Sequence, residues 1–138
     1  MTRIALALPF MLLAGAAAAQ DASCPHSDFQ SFINAFAQDE ALQRQFTAPQ
    51  IESEYLDMAA EPQPAMVTET ISRDALRFPL MQHSYAALQS GAQGLMSWPA
   101  ADGAQTFTVR GPDSGNLIHF DFSPQPCWTL IAIRDEST

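Results

Sequence analysis

Phe29-Gln30-Ser31-Phe32-Ile33-Asn34-Ala35-Phe36 sets Phe29, Phe32, Ile33 and Phe36 at i, i+3, i+4 and i+7, which puts four large apolar side chains on one face of an α-helix. No other stretch is as strongly periodic. Upstream, Ser27 and Gln30 have the spacing of a capping box, Asp28 suits the positive end of the helix dipole, and Pro25 offers an earlier start. Downstream, Asp39 is placed to cap a second short helix in which Leu42 and Phe46 share one side. Pro49 stops that helix from continuing.

Beyond Pro49 the period changes from helix to strand. Ile51 to Met58 and Met66 to Ser72 read as two adjacent antiparallel strands, broken by Glu61-Pro62-Gln63-Pro64 and each wetted on one face by its polar residues. After Pro79, Met81, Tyr85 and Leu88 fit a helix stopped by Gly91, and a loop with a single turn fits almost as well. Leu95 to Trp98 reads as a further strand. The last third then alternates cleanly, with Phe107 and Val109, then Ile118, Phe120 and Phe122, then Trp128, Leu130 and Ala132 at every second position. Short turns at Gly111 to Gly115 and Ser123 to Pro126 make these three strands consecutive and antiparallel. Helices followed by a meander of strands predict an α+β fold, with the helical stripe packed on Ile118, Phe120, Phe122, Trp128 and Leu130. Burial of such side chains contributes about 1.5–3 kcal/mol each.

Residues 1–19 read as a secretory signal peptide: Arg3 near the start, an apolar run from Ile4, and Ala17-Ala18-Ala19 before Gln20. The run falls short of the roughly 20 helical residues that a bilayer span needs, so no membrane insertion is expected after cleavage. No cysteine stands at the cleavage point to carry a lipid. The expected product is one domain, residues 20–138, placed in a periplasm or outside the cell. Export bears on Cys24 and Cys127, the two cysteines of the chain, because an oxidising compartment favours pairing them. They are not spaced as a redox Cys-x-x-Cys, so the expected bond is structural.

Charge excludes some partners. The domain has five arginines, no lysine and fifteen carboxylates, a net charge of −10, which repels nucleic acid and anionic membrane surfaces alike.

Three segments together carry a resemblance: Phe32-Ile33-Asn34-Ala35-Phe36 through Asp39 to Leu42-Gln43, Arg77-Phe78-Pro79-Leu80, and Trp128-Thr129-Leu130 running to Ser137. They are similar to a group of exported bacterial proteins with a nuclear transport factor two-like fold. The resemblance implies N-terminal helices packed on a curved antiparallel sheet that forms a cone, with pairing through the sheets as a route to a homodimer. The same cone hosts isomerase-like and dehydratase-like enzymes as well as binding domains without chemistry, so it does not choose an activity.

Within that frame the chemistry-bearing residues are few. His119 and Asp121, two apart on one strand, form the best acid/base pair, although they alternate with the apolar Ile118, Phe120 and Phe122 as on any half-exposed strand. Glu52 and Glu54 share a strand face in the same way. His26, His83 and His119 fall in three elements without metal-ligand spacing, so no metal is expected, nor any cofactor. Ser90 and Ser114 lack a nucleophile elbow. Tyr55, Trp98 and Trp128 are the candidate binding aromatics, beside Phe78, Tyr85 and Phe107, for a small apolar ligand or a periplasmic protein. The reading is a non-enzymatic binding or interaction module. Its alternatives are a small isomerase- or dehydratase-type enzyme using Asp121 or His119, and an immunity or inhibitor protein.

Overall fold

Helix α1 (Phe29–Gln38) starts at Asp28, whose carboxylate accepts the Ser31 amide at 2.8 Å. That hydrogen bond holds the Asp28 carboxyl below the usual carboxylate range. The cap is therefore Asp28 rather than the Ser27–Gln30 box. Asp39 closes α1 and opens α2 (Glu40–Gln45), its Oδ1 accepting from the Ala41 and Leu42 amides at 2.8 and 3.3 Å. The structure, a computed structural model, describes residues 23–81, 95–99, 103–111 and 115–138, with the backbone alone described over 95–99. The signal-peptide segment, Tyr85 and Leu88 with the helix they suggest, His83, Ser90 and Ser114 lie outside these residues.

Among the described residues six strands follow: β1 (Thr47–Asp57), β2 (Ala65–Ser72), β3 (Leu95–Pro99), β4 (Gln105–Arg110), β5 (Leu117–Ser123) and β6 (Thr129–Asp135). Their order in the single sheet is β2-β1-β6-β5-β4-β3. β1 pairs antiparallel with β2, and β3 to β6 form an antiparallel meander, as the alternation predicts. The expectation of a curved, wholly antiparallel sheet is corrected at the centre. There β1 runs parallel to β6, with Glu52, Ser53, Glu54 and Tyr55 opposite Ala132, Ile133, Arg134 and Asp135. The sheet is mixed and open, its edges β2 and β3 lying at opposite ends of the order instead of meeting in a closed cone. At the α2–β1 junction the Leu130 amide donates to the Phe46 carbonyl at 2.8 Å, which holds the start of β1 beside the start of β6.

The helical stripe covers one side of this sheet. Phe32, Ile33 and Phe36 are buried against Phe107, Phe120, Phe122 and Leu130, with Phe29, Val109, Ile118 and Ile133 at the margin. Alternation in β6 breaks at Ile131. Leu130 opposes Phe122 on the helix side, Ala132 opposes Asp121 on the other, and Ile133 returns to the helix side opposite Phe120. One inserted residue turns Ile131 outward, where it is exposed.

The expected bond is present, with Cys24 joined to Cys127 and their Cα atoms 5.4 Å apart. The Trp128 indole donates to the Ser27 carbonyl at 3.1 Å, and its ring lies 4.9 Å from that of Phe29. Disulfide, hydrogen bond and ring contact all tie the segment before α1 to the start of β6.

Gln43, 1% exposed, is the buried polar hinge of the layer. Its Nε2 donates to the Phe36 carbonyl at 3.0 Å, and its Oε1 accepts the Leu80 amide at 2.6 Å. Gln43→Leu would leave both backbone groups without a partner, at about 1–3 kcal/mol each and partly offset by the added apolar burial. Urea unfolding should show a net loss of about 2 kcal/mol; an unchanged midpoint would mean that water reaches both groups.

Candidate functional site

Strand register sorts the polar residues onto the face turned away from the helices. Two rows cross it: Thr70, Glu52, Ala132, Asp121 and Thr106 in one, and Thr68, Glu54, Arg134, His119 and Thr108 in the other. His119 and Asp121 are thus brought together on the open side of the sheet. Asp121 is held by Arg134, whose Nε and Nη2 each donate at 3.0 Å to its two oxygens, and by the Thr106 hydroxyl. Those hydrogen bonds raise the Arg134 pKa further, with Glu136 and Glu54 adding to the effect, so the guanidinium stays charged. His119 shares a hydrogen bond with the Thr108 hydroxyl through Nδ1 at 2.8 Å, and its Nε2 lies 3.7 Å from Glu136. Glu54 faces Arg134 in register and accepts from Thr68 at 3.4 Å, whereas Glu52 stands exposed.

The candidate aromatics do not converge. Tyr55 is on the helix side, 38% exposed, opposite Asp135 at the end of β6. Trp128 precedes the other end of β6, packed on Phe29. Trp98 lies opposite Thr106 at the β3 edge, and its side chain is outside the description. Asp135, which the sequence reading did not single out, shares the helix side with Tyr55, and its carboxylate accepts the Ser137 amide at 3.0 Å.

Between helices and sheet the space is filled by rings. Phe122 meets Phe29, Phe32 and Phe36 edge-on, with centroids 5.5, 5.7 and 5.2 Å away. An open groove of about 500 Å³ lies elsewhere, between α2 and the turn after β2, lined by Ala41, Arg44, Gln45, Arg73, Asp74 and Phe78. Of these, Phe78 is the one that the sequence marks as a candidate. The arginines carry no such mark because nothing local distinguishes them from solvated surface residues. Among the described residues no three His, Cys, Asp or Glu side chains are placed to hold a metal ion. No helix among them is long and apolar enough to cross a membrane.

Neither a known family nor a curated protein matches this sequence. Among solved structures, the chain is similar to a nuclear transport factor two-like protein from Bacteroides fragilis, with a TM-score of 0.55 and 15% identity. The match covers 80% of this chain and 47% of that one, so the chain spans about half the length of that structure. Likeness at this level shows the fold, an α+β nuclear transport factor two-like domain.

Proposed function

We propose that the chain is exported and acts as a non-enzymatic interaction module, whose open sheet face receives a basic protein surface. The observation that supports this is the division of labour between the two faces of the sheet. The helix side is packed with phenylalanine rings, while the other side, uncovered by any described element, holds an ordered lattice of charged and hydroxyl side chains. His119 and Asp121, the best acid/base pair, belong to that outer lattice and are engaged with Thr108, Glu136, Arg134 and Thr106, which favours recognition over proton transfer.

The face is acidic in sum, because Glu52, Glu54, Asp121 and Glu136 outnumber Arg110 and Arg134, so complementarity selects a cationic partner and steers its approach. Native mass spectrometry of the protein purified from the exporting cell should show a complex at low salt that dissociates as salt rises. Glu52→Arg, at an exposed position of the face, should weaken that complex about tenfold or more. A complex indifferent to Glu52→Arg, or a small molecule retained in place of a protein, would overturn the reading.

A further inference from the structure

The groove between α2 and the turn after β2 has a composition unlike the rest of this acidic surface. The turn Arg73–Ala75 and Phe78 form one wall, and the exposed side of α2 forms the other. Two of the chain's six arginines line it, together with one carboxylate and one aromatic ring.

The two arginines and the ring are held in place by contacts that leave part of each unused. The Arg44 guanidinium lies over the Phe78 ring, 4.3 Å from its centroid. It is steadied by Glu40, whose Oε1 accepts from Nε at 3.0 Å and Nη2 at 2.7 Å. Just beyond Phe78, the Leu80 amide is bonded to buried Gln43, so the chain carrying the ring is anchored to the core. Arg73 is half-buried and spends Nη1 on the Thr47 carbonyl at 3.1 Å, which orients the fork and leaves its other donors to the groove. Asp74 is exposed and makes no hydrogen bond or ion pair among the described residues. It lines the groove together with Arg73, its neighbour on the turn, and no ion pair joins the two.

The geometry points to a binding site for a free α-amino acid with an apolar side chain. Its carboxylate meets the Arg73 fork, its ammonium meets Asp74, and its side chain lies along Phe78 beside Arg44. The net charge of −10 on the domain argues for a zwitterion over a simple anion, since an anion is repelled at long range and a zwitterion carries no net charge. An open groove of about 500 Å³ admits a ligand of this size and leaves one side in solvent, which sets the affinity in the millimolar range. This site is separate from the sheet face, so its failure would leave the proposed function standing.

Titration of the full oxidised protein with L-phenylalanine, followed by amide and arginine-side-chain NMR, tests it. Saturable shifts are expected at Ala41, Arg44, Arg73 and Phe78. N-acetyl-L-phenylalanine lacks the ammonium and L-phenylalaninamide lacks the carboxylate, so each should bind about tenfold more weakly. Asp74→Asn, at an exposed position where folding is not at stake, should remove the penalty for the acetylated compound and leave that for the amide. No shifts up to about 50 mM, or equal binding of all three compounds, would overturn the site. Tighter binding of the dipeptide Phe-Phe would overturn the assignment to a free amino acid.

Discussion

Phe122→Ala is expected to lower the unfolding free energy by about 3–5 kcal/mol, since it removes a fully buried ring from the centre of the helix–sheet layer. The site cannot collapse easily around the loss. Phe29, Phe32 and Phe36 approach Phe122 from α1, and Leu130 opposes it across β6, so the hole would be walled by rings fixed on two elements. Three edge-on ring contacts vanish as well, each worth about 0.5–1.5 kcal/mol beyond its buried area. Total stabilities of small domains are about 5–15 kcal/mol, so a loss of this size moves the protein toward unfolding near body temperature. Urea denaturation should show a much lower midpoint with an unchanged slope. Phe122→Leu, which keeps most of the volume, should cost less than half as much, and a loss below about 1 kcal/mol for the alanine would show that the layer is not the source of stability.

That layer was legible because both partners repeat on a short period. Four apolar residues at helical spacing and three at strand spacing each make one apolar face, and two such faces bury themselves by packing together. The parallel β1–β6 pair had no such signature. Hairpins advertise themselves through turn residues, whereas parallel neighbours are joined through a long crossover whose length carries no mark of the partner. Asp57 and Thr129 are separated by most of the domain, and the pairing shows itself in the register of the two strands and in the backbone hydrogen bond from Leu130 to Phe46 at their starts. The bulge at Ile131 was hidden for a related reason. Strict alternation predicts Leu130 and Ala132 on one face, and only the register against β5 shows that Ala132 belongs with Asp121.

Site residues were legible as neighbours but not in their roles. That His119 and Asp121 share a face follows from their spacing, yet the identity of their partners depends on strands β4 and β6. Thr106, Thr108 and Arg134 are unremarkable in sequence and become the groups that hold the pair only through cross-strand pairing. The groove shows the same limit more sharply, because Arg44 and Arg73 stand far apart in the chain and meet through a turn that no periodicity announces.

Replacing both bridge cysteines, Cys24→Ser with Cys127→Ser, is expected to cost up to roughly 4–5 kcal/mol, because the bond closes a loop of about 100 residues and restricts the unfolded chain. The folded state should change little. The Trp128–Ser27 hydrogen bond and the contacts of Phe29 with Trp128 and Phe122 remain to hold the segment before α1 against the sheet. The near-ultraviolet signal of Trp128 should therefore survive while the urea midpoint falls; a loss under about 1 kcal/mol would contradict the chain-entropy account. Combination with Phe122→Leu separates the two origins of stability. The ring acts in the folded core and the bond on the unfolded ensemble, so the two losses should add to within about 0.5 kcal/mol. A clear shortfall from additivity would place the effect of the bond in the native contacts around Phe29, the one ring among the described residues that touches both Phe122 and Trp128.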